Sequence, residues 1–156
     1  MAANKRITRD IGWVKGNRPH EIRLTASLWN DDDLALELAG RADGRKQDRD
    51  VRFSIALSTT SATLIFGAID WRPPKPHTNR LGPPHLKLRT FSGSHIHRLD
   101  DNISLPDSQF LQLPVVDELL PDPTDYDELL TRVGLEFGIV GCERIGRPEW
   151  STLLHL

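Results

Sequence analysis

Runs in which apolar and polar residues alternate one for one dominate the first ninety positions, and this period of two restricts the chain more than any other feature. Glu21-Ile-Arg-Leu-Thr-Ala-Ser-Leu-Trp29 sends Ile22, Leu24, Ala26 and Leu28 to one side and Arg23, Thr25 and Ser27 to the other. That is the pattern of a half-buried strand. Asn30-Asp-Asp-Asp33 offers turn-forming side chains that bond their own backbone. Leu34, Leu36 and Leu38 then alternate again and predict a hairpin, although the same segment, LALELAG, is rich in helix formers and leaves a helix open. Gly40 to Asp50 reads as an exposed loop. Val51 to Leu57 is a third alternating strand, and Ala62 to Trp71 a fourth, more apolar and so more central.

Proline ends this ladder. Trp71-Arg-Pro-Pro-Lys-Pro76 removes backbone donors and fixes the chain. After Gly82-Pro83-Pro84, His85 to Phe91 alternates once more, and His95 to Leu99 follows as a short segment. Phe110 to Leu113 suits an edge strand. Leu129, Leu130, Val133 and Phe137 recur at helical spacing, with Asp125 as a cap candidate and Gly138 or Gly141 to end the helix. The expected architecture is α+β: a curved antiparallel sheet or small open barrel of about five or six strands with one C-terminal helix.

The 156 residues suit a single domain spanning 1–156. With 20 Lys and Arg against 22 Asp and Glu, the net charge is −2. No apolar run approaches the ~18 residues of a membrane span. The opening residues lack the apolar core of a secretory signal, and the single cysteine excludes an internal disulfide. A cytoplasmic protein without a membrane partner is the expectation.

The near-neutral total hides a segregation. Between Trp71 and Leu99 there is no carboxylate, while Arg72, Lys75, Arg80, Lys87, Arg89 and Arg98 stand with His77, His85, His95 and His97. Between Asp100 and Glu128 the sign inverts, with no Lys or Arg. Guanidinium forks match phosphate oxygens, and imidazole exchanges protons near neutrality. Pairing between the two blocks is the competing explanation, and shielding of the basic block by the acidic one is a third.

His95-Ile96-His97 places two imidazoles on one face of a strand, and His77-Thr78-Asn79-Arg80 follows the proline turn where a loop can fold over the sheet. The leading reading is a small ribonuclease or phosphodiesterase that needs no cofactor. In it His77, His95 and His97 share proton transfer, and Asn79, Arg80, Lys87, Arg89 and Arg98 hold the phosphate of RNA or a nucleotide. A second reading is a non-catalytic antitoxin, inhibitor or adaptor that docks a protein partner through Asp125, Asp127 and Glu128 or through its basic face. A third places a divalent transition metal at His77, His95 and His97. Trp71, beside the basic block, is a candidate for stacking on a base. Glu21, Arg23 and Arg52 read as solvent-facing strand positions, His20 and His155 as turn or surface residues, and Cys142 as structural.

Two resemblances accompany these residues. His95-x-His97 with Asp101 resembles the His-x-His element of cupins, which carry a glutamate in place of the aspartate and a further downstream histidine. His77-Thr78-Asn79-Arg80 and His95-Ile96-His97-Arg98, with a closing helix over Asp125 to Gly138, resemble small bacterial proteins of uncharacterised function from mobile or phage-derived gene neighbourhoods. The second resemblance implies a role in toxin–antitoxin or phage conflict.

Overall fold

A computed structural model describes residues 4–150. Eleven strands occur in it: β1 (Lys5–Arg6), β2 (Val14–Lys15), β3 (Glu21–Leu28), β4 (Leu36–Asp43), β5 (Val51–Ser58), β6 (Thr63–Trp71), β7 (His77–Thr78), β8 (Thr90–Phe91), β9 (His95–Arg98), β10 (Asp117–Glu118) and β11 (Ile139–Val140). Three helices accompany them: α1 (Leu99–Asn102), α2 (Asp107–Phe110) and α3 (Tyr126–Phe137), with a 3-10 turn at Cys142–Arg144. The fold is α+β. Its main sheet has seven antiparallel strands in the order β10-β9-β6-β5-β4-β3-β2, open at both edges and not closed into a barrel. The long helix is not the last element, since β11 and the 3-10 turn follow it.

The period-two segments form the central strands. Val51, Phe53 and Ile55 of β5 and Ile69 and Trp71 of β6 are all 2% exposed or less, facing one side. The segment from Leu36 is a strand, because it pairs residue for residue with β3 and β5 on either side. It also runs on to Asp43, into the stretch that reads as loop. Gly40 permits this: a Cβ there would lie 2.8 Å from the Trp13 ring, which covers it.

α3 closes the apolar side. Asp125 Oδ1 accepts from Glu128 N at 2.8 Å, and Glu128 Oε2 accepts from Thr124 N at 2.8 Å, so two backbone donors at the helix start are satisfied. Gly138, in the left-handed region at φ 63°, ends the helix by donating to Gly134 O. Tyr126, Leu129, Leu130, Val133 and Phe137 are buried against the sheet. Each such side chain contributes about 1.5–3 kcal/mol by leaving water.

The chain from His77 to Val116 folds over the β6–β9 end of the opposite face, with its own small core of Leu86, Phe91, Val115 and Val116. Two fully buried asparagines clamp this cover. Asn79 donates to Leu86 O and Val116 O and accepts from Val116 N. Asn102 donates to Arg98 O and Val115 O and accepts from Val115 N. The expected strand over His85–Phe91 shrinks to Thr90–Phe91: Pro83 O accepts from Leu86 N and Lys87 N, and Leu88 sits at φ 65°. These residues turn, so Leu86 is buried while Leu88 is 72% exposed. Phe110–Leu113 likewise ends a helical turn and is no edge strand. Among the described residues no helix is long and apolar enough to cross a membrane.

Candidate metal centre

Ile69 and Trp71 turn to the core, so strand alternation sends Asp70 to the opposite face. Register then builds a row: Arg52 on β5 pairs with Asp70 on β6, and Asp70 pairs with His95 on β9. His97 stands two residues along, opposite the fully buried Ala68. His77 approaches from the cover. Its ring centroid is 5.4 Å from that of His95 and 5.8 Å from that of His97, while His95 and His97 are 5.5 Å apart. The two histidine motifs therefore meet.

One oxygen takes most of the contacts. Asp70 Oδ2 lies 2.7 Å from Arg52 Nη1, 2.9 Å from His97 Nε2 and 3.3 Å from His95 Nε2. The far nitrogens are fixed by backbone carbonyls, which only accept: His95 Nδ1 donates to Gly93 O at 3.0 Å and His97 Nδ1 to Leu113 O at 2.7 Å. Both rings therefore carry a proton on Nδ1 and turn Nε2 to the carboxylate. Arg52 Nη1 also lies 3.4 Å from His97 Nε2. His95 and His97 are 4% and 7% exposed. Burial opposes ionisation of Asp70, yet the His95 and His97 contacts and the Arg52 charge outweigh it and hold the carboxyl far below its usual range. Burial lowers the pKa of His77, against the opposing effect of its bond to Pro114 O.

This geometry matches a metal centre. The donor atoms of Asp70, His95 and His97 lie within 4.8 Å of one another. Two ligand bonds of about 2.0–2.1 Å meeting at roughly 90–110° hold their donors about 2.9–3.4 Å apart. The Asp70 to His97 and His95 separations of 2.9 and 3.3 Å fall in that interval. A carbonyl that accepts from Nδ1 and so turns Nε2 inward is the arrangement that ligating histidines use.

The remaining sequence candidates are spread out. The third donor beside His95 and His97 is Asp70 and not the expected His77. Arg98 turns to the other face of the sheet, where it pairs with Asp117 and with Glu136 of α3. The Asn79 amide is consumed by backbone. Arg80, Lys87 and Arg89 are exposed on the cover, and Arg89 lies over the Phe91 ring. Asp101 is not in the donor group, and its buried Oδ2 has no hydrogen bond. Trp71, fully buried with Nε1 on Pro123 O, has no face for a base. The basic and acidic blocks pair at Arg72–Asp122 and Arg98–Asp117. Among the described residues Lys75, Arg80, Lys87 and Arg89 make no ion pair. His20 is exposed, and His155 lies outside the described residues.

The chain matches no family model, no curated protein and no solved structure.

Proposed function

We propose that the chain is a small hydrolase of phosphate esters whose centre is one divalent transition-metal ion held by Asp70, His95 and His97. The observation that carries the reading is the inward convergence of two Nε2 atoms and one carboxylate oxygen, with both Nδ1 atoms tied to main-chain carbonyls. Two imidazole Nε2 atoms and Arg52 Nη1 crowd a single carboxylate oxygen. Asp70, His95 and His97 would hold zinc, iron or manganese, since two histidines and a carboxylate suit these ions. When bound, such an ion would supply a water of lowered pKa and would polarise a phosphoryl oxygen. Arg52 steadies Asp70 and brings a positive charge to the rim, while His77 presents a third ring beside the ligands.

The metal-free reading rests on the mutual approach of His77, His95 and His97, which suits shared acid–base work. It leaves the enclosed Nε2 atoms of His95 and His97 without a substrate-facing role.

Protein purified without a tag, loaded with zinc and washed free of excess, should retain about one ion per chain by elemental analysis. Asp70→Asn, His95→Ala and His97→Ala should retain none. Hydrolysis of a small phosphodiester should vanish with chelator and return with metal. Zinc retention by all three variants defeats the metal centre. Full turnover in chelator, lost in His77→Ala, restores the metal-free mechanism.

A further inference from the structure

His77 is prepared as a ligand by the same device as His95 and His97. Its Nε2 lies 2.8 Å from Pro114 O, which only accepts, so the proton sits on Nε2 and Nδ1 carries a lone pair. All three imidazoles thus commit one nitrogen to a main-chain carbonyl, of Pro114, Gly93 and Leu113 respectively. Two of these carbonyls are consecutive, and the first belongs to the buried Leu113, which is held in the left-handed region at φ 46°. A leucine adopts that conformation only where its surroundings impose it.

The rings also stand as three ligands of one ion would. With nitrogens about 2.0–2.1 Å from an ion, ring centres about 1.2 Å further out and angles of roughly 100–120°, ring centres are about 4.9–5.6 Å apart. His77 to His95 at 5.4 Å and His95 to His97 at 5.5 Å fall in that interval. His77 to His97, at 5.8 Å, lies just above it. The His77 nitrogens are not among the donors that lie within 4.8 Å of one another, so a short inward movement separates this ring from the other ligands. Its strand leaves room for one. β7 pairs with β8 in a two-stranded ribbon outside the main sheet, so it can shift without breaking a bond of the sheet that carries Asp70, His95 and His97.

We propose that His77 is the fourth protein ligand of the ion at Asp70, His95 and His97, binding through Nδ1 and drawn inward as the ion enters. The inference rests on the metal centre above and adds its regulation. One carboxylate and three imidazoles complete a tetrahedral set, and a site with four protein ligands is closed. Substrate gains a place at the ion only when His77 leaves. Because His77 belongs to the cover and the other three ligands to the main sheet, the ion also fastens the one to the other.

Cobalt(II) loaded into the protein counts the ligating rings without turnover. Each imidazole that binds the paramagnetic ion and keeps its other N–H on a carbonyl gives one strongly shifted, exchangeable proton line in the NMR spectrum. The wild type should show three such lines and His77→Gln two. The two surviving lines show that the variant is folded with His95 and His97 in place. Zinc affinity should fall at least about tenfold in the same variant. Two lines in the wild type, three in His77→Gln, or equal zinc affinities overturn the proposal. Elemental analysis separates this from failure of the metal centre: bound cobalt with two lines in the wild type removes only the fourth ligand, whereas a chain that retains no cobalt removes the centre and this inference with it.

Discussion

Asp70 and His95 are direct partners across two antiparallel strands, and the carboxylate oxygen of one lies 3.3 Å from Nε2 of the other. The pair exists because β9, within the segment that forms the cover, returns to β6 and sets the histidine strand against the one carboxylate of β6. The cover then supplies the Leu113 and Pro114 carbonyls that orient His97 and His77. A rigid sheet therefore positions the donors, and a clamped loop sets their tautomers.

Metal occupancy should register as thermal stability. An ion that binds only the folded chain, at a hundred times its dissociation constant, adds about 2.7 kcal/mol. At about 2–4 °C per kcal/mol for a chain of this size, chelation should lower Tm by roughly 5–11 °C, and zinc should restore it. Asp70→Asn should melt at the same temperature with and without chelator. A calorimetric scan that shows no chelator effect on the wild type counts against the centre.

Much of this frame is legible in the sequence, because a strand announces itself by its own alternation. The β3, β5 and β6 segments and the helix at Tyr126–Phe137 are local patterns, and the paired His95 and His97 need only a period of two. Asp70 is not visible in this way. It lies one residue before the carboxylate-free stretch that begins at Trp71, and its meaning depends on register with β9. Arg52 looks like a solvated strand position until its cross-strand neighbours are known. The alternation in His85–Phe91 misleads because Pro83 and Asn79 carbonyls capture its amides into turns. The one hint for Asp70 is a lone carboxylate near the end of an otherwise apolar central strand.

Asn79 should behave as a clamp and not as an anion donor. Asn79→Ala removes three buried hydrogen bonds and strands Val116 N and O and Leu86 O. A loss of about 2–4 kcal/mol in urea unfolding is expected. The neighbouring Arg80→Ala, on the exposed side of the cover, should stay within about 0.5 kcal/mol of wild type. Equal stability for the two variants would contradict the clamp.

Cys142 should be chemically silent in the folded protein. It is 5% exposed, and burial pushes its thiol up to about 12, with Glu143 adding to the shift. At pH 8 the reactive thiolate is therefore scarce, and labelling by a disulfide reagent should wait for unfolding. The labelling rate should rise with urea in step with loss of structure. Rapid stoichiometric labelling in native buffer would show the site to be open.

The acidic residues at the start of α3 separate a docking role from a folding role. Asp125 and Glu128 each accept a backbone N–H at the helix entrance, so both act within the chain. Asp127 instead extends outward to Arg147, with side chains 72% and 59% exposed, and such pairs contribute about 0–1 kcal/mol. Asp125→Ala should therefore cost about 1 kcal/mol by removing the cap, and Asp127→Ala should change stability little. Reversing all three charges also puts positive side chains beside the positive end of the helix dipole, so it should destabilise the isolated protein. Loss of a complex in that triple variant is thus expected from folding alone. Asp127→Ala is the informative change, because it alters the surface charge and leaves the helix entrance intact.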